Sequence, residues 1–301
     1  TDVTETYAPE LASLGMITDS SWGDIDGDGD TDLVVAGEWM PVTIFENKGD
    51  GQLSKMETST GLETAVGWWN TVELHDLDED GDLDILAGNH GRNSRFRATA
   101  EEPVEMWIND FDGNGSIEQV ISTYKDGQRY PMALRHDLLE MLPSLESKYP
   151  DYSSYSGQTI GDIFTVEELE QSRHFSATKL ASIVAWNDGS GAFRLQDLPM
   201  KAQLTPMYAF LAEDITGDSK KEILMGGNLF NAKPEVGRYD AGYGAVFGME
   251  ETGLYEIQDM KSGFFVEGEI RSIQTINSER HGRVILVARN NAGIIAFRIN
   301  K

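Results

Sequence analysis

Apolar positions along this chain fall in short, unbroken runs rather than in helical rows. Leu33-Val34-Val35-Ala36-Gly37, Ile85-Leu86-Ala87-Gly88 and Ile223-Leu224-Met225-Gly226-Gly227 are continuous and bounded by turn residues. That is the pattern of strands buried on both faces. A shorter apolar stretch precedes each polar interval: Ser21-Trp22, Thr71–Leu74, Val104–Ile108 and Tyr208–Leu211. A third run ends on a glycine turn, as in Thr43-Ile44-Phe45-Glu46-Asn47-Lys48-Gly49-Asp50-Gly51, Ile183–Gly189 and Ala245–Gly253. Strands of this length with Asn, Asp and Gly turns predict antiparallel meanders of three or four strands.

The polar positions repeat as well. Asp24-Ile25-Asp26-Gly27-Asp28-Gly29-Asp30-Thr31-Asp32 crowds five carboxylates into nine residues, which repel one another unless a cation sits among them. Alternate spacing in a turning loop aims the oxygens at one centre. Calcium accepts about six to eight oxygen ligands at flexible geometry, so Asp24, Asp26, Asp28 and Asp32, with the Asp30 carbonyl, suit it better than magnesium. The loop begins like an EF-hand, but position twelve is Val35 where that motif needs a bidentate Glu. Loop-into-strand is the better reading, and a solvated acidic turn without metal is the bland one for a single copy.

There are four copies. Asp76, Asp78, Asp80, Asp82 and Asp84 reproduce the first loop. Asp110, Asp112, Asn114, Ser116 and Glu118 keep its pattern of oxygens. In the fourth, Asp214, Thr216, Asp218, Lys220 and Glu222 hold the positions, but Ser219 replaces the turn glycine and two lysines bring positive charge, so a weak site and a metal-free turn weigh equally. The expectation is therefore three calcium sites with a fourth in question. A fifth echo, Glu269–Ile273 then Val284–Ala288, keeps the strands and lacks the ligands.

Blade-sized meanders of this kind are best closed radially, because an open row leaves unprotected edges. The expected fold is all-β: a single β-propeller over residues 1–301, its four-stranded antiparallel blades starting near residues 21, 70, 104, 208 and 270. Seven blades are the alternative if the chain is a fragment. The last blade offers three strands, ending at Ile294–Arg298, and the stretch Val3 to Tyr7 is expected to supply the fourth. One segment, residues 127–180, reads as a helical insertion in blade three, between its second and third strands. Leu134, Leu138, Leu139, Leu142 and Leu145 recur at helical spacing, and Thr165-Val166-Glu167-Glu168 reads as a capping box opening a helix through Leu169 and Phe175.

Composition narrows the functions. The 301 residues carry a formal net charge of −27, and about a third of the 51 acidic residues lie inside the four loops. No basic surface exists to neutralise phosphates, so nucleic acid is excluded as a partner, and an anionic membrane would repel the chain. No run of apolar residues is long enough to insert into a bilayer. Cysteine is absent, which removes disulfides and thiol chemistry. The start Thr1-Asp2-Val3-Thr4 reads as a mature or excised segment from which export sequences have been removed.

The loops followed by Leu-Val-Val-Ala-Gly or Ile-Leu-Ala-Gly, with their later glycine turns, resemble the FG-GAP repeats of integrin α-subunit propellers. The chain is closer still to exported bacterial VCBS-repeat proteins, including those with UnbV or cartilage-acidic-protein-like regions. The resemblance covers everything but the helical insertion. It implies calcium in the loops, an extracellular, cell-surface or periplasmic setting, and a role in adhesion or assembly without catalysis. Thr216, Ser219 and the fifth repeat depart from the pattern.

Strand parity, independently, puts the loops at one end of the blades and the turns between second and third strands at the other. The second end should carry Trp39, Asn89, His90, Arg92, Phe230, Arg238, Tyr239 and Asn290, a set suited to a protein or glycan at the cell surface, with Arg95 and Arg97 as further anchors for anionic groups. The bland reading is that these residues stitch neighbouring loops and Trp39 packs under the insertion. An enzyme is not expected: no nucleophile elbow, metalloprotease helix or phosphate loop is present. A carbohydrate-active lyase or hydrolase, or an accessory domain of one, is the alternative, with His90 and Arg92 the one pair worth testing.

Overall fold

In a computed structural model, residues 1–49, 51–56, 60–250 and 253–299 are described. The turn residues Asp50, Glu251 and Thr252 lie outside them. The chain forms two units, Thr1–Arg95 with Leu180–Lys301, and Phe96–Lys179. Both are built mainly from antiparallel sheets of four strands.

The larger unit holds four sheets. The first is β1 (Met16–Gly23), β2 (Asp32–Met40), β3 (Thr43–Asn47) and β4 (Leu53–Lys55), with β5 (Gly67–Trp68) added to the end of β2. The second is β6 (Thr71–His75), β7 (Asp84–Gly88), β12 (Ile183–Asn187) and β13 (Phe193–Asp197). The third runs β14 (Met207–Glu213), β15 (Glu222–Gly227), β16 (Ala245–Glu250) and β17 (Gly253–Ile257). The fourth has β18 (Glu269–Ser278), β19 (Gly282–Asn290) and β20 (Ile295–Arg298).

Successive sheets pack on one another in chain order, which explains why the second strands are apolar without alternation. On β7, Ile85 and Ala87 enter the core shared with Val34, Ile44 and Trp69 of the first sheet and its flank. Leu86, between them, enters the core shared with Phe210, Ile223 and Phe247 of the third. On β15 the parity repeats: Ile223 and Met225 face the second sheet, and Leu224, with Val246 of β16 beside it, joins Ile273, Ile285 and Val287 of the fourth sheet. Each such side chain removed from water stabilises by about 1.5–3 kcal/mol, so both faces of these strands hold the sheets together.

The smaller unit has its own sheet, ordered β10-β9-β8-β11, from β8 (Val104–Asn109), β9 (Glu118–Lys125), β10 (Gln128–Pro131) and β11 (Arg173–Ala177). Short helices at Arg135–Met141, Tyr152–Tyr155, Ile160–Ile163 and Val166–Gln171 fall between β10 and β11. Leu138, Leu142, Tyr149, Ile160 and Phe164 bury themselves against Val120 of β9. The capping box is present: Thr165 N–H donates to Glu168 Oε2 at 2.7 Å, and Glu168 N–H to Thr165 Oγ1 at 3.2 Å.

Five expectations are corrected here. The inserted segment is not the helical stretch 127–180 within a third blade; it is Phe96–Lys179, a unit with a sheet of its own, and it interrupts the second sheet between β7 and β12. The run Ile183–Asn187 pairs with β7, Ile183 opposite Ala87, because that buried strand has a ladder to complete. Gln128–Pro131, expected in the insertion's helical part, is β10, folded back on β9 through a two-residue turn in which Asp126 (φ 53°) and Gly127 (φ 74°) are both left-handed. Phe175 lies in β11, since the capped helix ends at Gln171. Val3 to Tyr7 does not add a strand to the last sheet, because Thr4–Tyr7 is helical, its Thr4 N–H and hydroxyl bonded to Asp2 Oδ1. Among the described residues that sheet has three strands.

Candidate functional site

Each acidic loop joins the first strand of a sheet to the second, and its fold follows from its own side chains. In the first, Asp24 Oδ2 accepts from Gly29 N–H (3.0 Å), Asp26 Oδ1 from Asp28 N–H (3.1 Å) and Asp28 Oδ1 from Asp30 N–H (2.8 Å). Carboxylates bonding amides two residues on curl the chain, and Gly27 (φ 76°) and Gly29 (φ 93°) take the left-handed corners. The curl brings ligand oxygens of Asp24, Asp26 and Asp28 within 4.8 Å of one another. Asp76, Asp78 and Asp80 do the same in the second loop, and Asp110, Asp112 and Glu118 in the third, which belongs to the smaller unit. Asp24 Oδ1 and Asp76 Oδ1 are buried and have no hydrogen-bond partner. A buried anionic oxygen without a partner is costly, and a hard cation with oxygen ligands is the group that resolves it.

In the first two loops the ninth position has a structural duty of its own. Asp32 is fully buried, and both its oxygens are taken by amides: Ile25 N–H at 2.9 Å and Asn47 N–H at 2.8 Å. Asp84 repeats this with Leu77 (3.0 Å) and Asn187 (2.9 Å). These carboxylates clamp the loop entrance to the third strand of the sheet and stand outside the carboxylate triplets. Asp30 and Asp82 lie over Gly49 and Gly189. In the third loop Asn114 Oδ1 accepts from Ser116 N–H at 2.7 Å, and Glu118 Oε2 from Phe111 N–H at 3.0 Å.

The fourth loop keeps the curl without the cluster. Asp214 accepts from Gly217 N–H (2.6 Å) and Ser219 N–H (3.1 Å), and Asp218 from Lys220 N–H (2.9 Å). Thr216 replaces the second carboxylate and donates its hydroxyl to Glu222 Oε1 at 3.2 Å. Among the described residues no carboxylate triplet forms there. Lys221 Nζ instead donates to the Asp76 carbonyl of the second loop. Asn187 Nδ2, in turn, donates to the Ile25 carbonyl at 2.9 Å, so the loops of the first three sheets of the larger unit are tied together.

Electrostatics of the loops match this picture. Burial raises the Asp26 and Asp78 carboxyls above the usual range, reinforced by neighbouring carboxylates. Asp84 is pushed up to about 6, chiefly by burial, against the two amides that stabilise its charge.

At the other end of the larger unit's sheets, four rings form a row. Trp39 and Trp68 lie 5.1 Å apart between centroids, Trp68 and His90 5.2 Å, His90 and Tyr239 4.9 Å, each pair edge to face. The row crosses from the first sheet to the connection between β15 and β16 of the third. Burial lowers His90 to about 4, so it is a neutral ring at ordinary pH. Arg238 covers Phe230 at 5.2 Å, and Arg92 pairs with Asp197. Of the eight residues expected on a partner surface, Trp39, His90 and Tyr239 are brought together, while Arg92, Arg238 and Phe230 pair locally.

Asn89 is a stitch inside the unit, whereas Asn290 is exposed and tied to its own sheet. Asn89 is wholly buried, its amide oxygen accepting from Trp68 N–H (3.2 Å) and His90 N–H (2.8 Å). Asn290 donates to Glu269 Oε2 at 2.9 Å, a carboxylate that also holds Phe230 N–H. Trp68 was not anticipated. Its signal was the Trp68-Trp69 doublet: neighbours on a strand face opposite ways, and Trp69 is the fully buried one.

Residues 24–87 match the FG-GAP-like repeat family. The matched stretch runs from the first acidic loop through the second loop into β7. No curated protein matches the chain. Among solved structures it is similar to the rhamnogalacturonan lyase PL11 of Bacillus licheniformis, at 14% identity and a TM-score of 0.25, over 91% of this chain and 55% of that one. It therefore spans about half the length of that lyase. A second likeness is to BBS1N in complex with ARL6DN, at 11% identity and a TM-score of 0.23, over 93% of this chain and 78% of that one. Among the described residues no helix is long and apolar enough to cross a membrane.

Proposed function

We propose that this chain is a calcium-braced β-propeller of an exported or cell-surface protein, and that it binds a protein or glycan, without catalysis, through the sheet ends remote from the acidic loops. The larger unit's four sheets are the blades in this reading. It is supported by the succession of the larger unit's four sheets, whose first strands β1, β6, β14 and β18 neighbour one another in turn. The FG-GAP-like match and the VCBS-like loop-and-strand pattern agree with it.

Calcium is favoured by the donor set: three carboxylate triplets, orphaned buried oxygens on two of them, and no nitrogen or sulfur ligands. Asp24, Asp26 and Asp28, then Asp76, Asp78 and Asp80, then Asp110, Asp112 and Glu118 would hold the ions. Loops of this kind in extracellular modules bind at about 10⁻⁴–10⁻³ M, a range filled outside cells, which supports the setting. The ion's part is to neutralise the loops, and no chemistry is routed through it.

The observation that carries partner binding is the row Trp39, Trp68, His90 and Tyr239. Rings in series offer apolar faces with polar tips, at little entropic cost on ordering. The same row speaks against catalysis: His90 is held neutral between two rings, and Arg92 is engaged with Asp197. A glycan array and a panel of purified surface proteins, probed with the chain and with a Trp39→Ala/Tyr239→Ala variant, test the reading. Binding that falls at least tenfold in the variant is expected; equal binding by both proteins would show that this end is not the contact surface.

A further inference from the structure

Three of the larger unit's four first strands are interrupted at the same level. The register of β1 shifts between Ile17 and Asp19, that of β14 between Met207 and Ala209, and that of β18 between Ile270 and Ser272. The extra residues are Thr18, Tyr208 and Arg271, and all three line one cavity of about 320 Å³. A bulge leaves one residue out of the ladder and re-aims its side chain, so three independent bulges converging on one space mark a built feature. The fourth first strand, β6, supplies Glu73 to the same wall, preceded by Asn70. The size is that of a small-ligand pocket.

Most charge in this cavity is already committed. Arg271 lies 4.1 Å over the Tyr208 ring and donates to Glu269 Oε1 at 2.9 Å and to the Asn228 carbonyl at 3.0 Å. Asp19 Oδ2 accepts from Thr71 Oγ1 at 2.7 Å and Val72 N–H at 3.0 Å. Glu73 is the exception: among the described residues it has neither hydrogen bond nor ion pair. Burial, then the charge of Asp19, raises its carboxyl above the usual range. The side chains of Asn70, Ser272 and Gln274 line the same space and are likewise unengaged.

We propose that this cavity binds a primary ammonium group, carried by a simple amine or an amino sugar, with Glu73 as its counter-ion. A cationic donor turns the uncompensated carboxylate into a charge-assisted hydrogen bond, the strong kind, and leaves Asn70, Ser272 and Gln274 for hydroxyls. An anion would meet Asp19 and Glu73 with like charge. A bare metal ion would fill little of the volume and would share it with the Arg271 guanidinium. A neutral sugar would leave the Glu73 charge, half-buried beside Asp19, without a counter-ion. The site goes beyond partner binding through the aromatic row and does not depend on it.

Calorimetric titration of the whole chain at pH 7 with butylamine, glucosamine and glucose tests this. Both ammonium probes are expected to bind and glucose to bind at least tenfold more weakly than glucosamine. Glu73→Gln, which removes the charge and keeps the shape, should weaken both ammonium probes at least tenfold with the melting transition retained. Glucosamine tighter than butylamine assigns an amino sugar, and equal affinities assign a simple amine. No binding of either ammonium probe, glucose as tight as glucosamine, or unchanged affinity in the folded variant overturns the proposal. The probe series on the unmodified chain decides the matter even if the variant does not fold.

Discussion

His90 sits where its charged form is poorly hydrated. Its imidazole, ringed by Trp68 and Tyr239, is lowered to about 4 by burial, whereas in the unfolded chain a histidine titrates near about 6.5. The folded state therefore binds fewer protons than the unfolded one between those values. Stability from neutral His90 is present above about pH 6.5 and drains away as pH falls toward 4. Urea unfolding at pH 7 and pH 4.5 should show the wild type losing about 2 kcal/mol more than His90→Phe, which keeps a ring and cannot titrate. Equal losses would mean that His90 is solvated. At this scale, too, the acidic loops are self-explanatory: an aspartate bonds the amide two residues on, and the corner is left-handed. Glu79 (φ 65°) and Ser219 (φ 74°) occupy that conformation at positions where the first loop has Gly27 and Gly29, and so carry strain that glycine does not.

Strands and their bulges set the next scale. Opposite the bulge in β14 lies Gly227, where an added Cβ would stand 1.8 Å from the Pro206 carbonyl oxygen. Gly37, opposite the bulge in β1, would bring its Cβ within 2.3 Å of the Met16 carbonyl oxygen. Backbone cannot yield as a side-chain tip can, so Gly37 and Gly227 are conditions of the bulges in β1 and β14 and, through them, of the side chains sent into the cavity. Gly227→Ala should cost about 3 kcal/mol in denaturant unfolding, by forcing backbone apart in a packed sheet. A loss below about 0.5 kcal/mol would show that the two strands separate freely there. The second strands alone told little about partners: Ile183–Asn187 reads as the third strand of whichever blade precedes it, and only hydrogen bonding assigned it to β7 across 94 intervening residues, Asn89 to Ser182.

Across the whole molecule, the loops are the joints most exposed to solution conditions. Asn187 and Lys221 tie three of them together, and the carboxylate triplets bring negative charge to the same joints. Chelation should therefore loosen sheets rather than single loops. Under ligand linkage each site occupied at tens of Kd adds about 2 kcal/mol, so 10 mM calcium should raise the melting temperature by roughly 5–15 °C over the chelated protein. Melting curves with chelator, then with calcium or magnesium restored, check this; indifference to chelator would remove the ions from the structural role. Asp24→Asn with Asp76→Asn should reduce the shift, whereas substitutions in the fourth loop, which has no triplet, should leave it intact.

Sequence by itself determined what depends on near neighbours: the acidic loops, the strands that flank them, the capping box at Thr165 and the absence of a basic surface. Those follow from spacing, turn chemistry and charge, which act over a few residues. It also pointed to the end of the sheets where Trp39, His90 and Tyr239 meet, since strand parity is a local rule. Only the tertiary structure decided which strands share a sheet, that the segment 96–179 is a unit in its own right, and that Asn89 is an internal stitch. The ninth-position carboxylates, too, could be read as clamps only once the third strand was beside them. The cavity lies furthest from the sequence. Thr18, Tyr208 and Arg271 are unremarked in their own segments, and they converge because a bulge is defined by the partner strand, which no single stretch of residues contains.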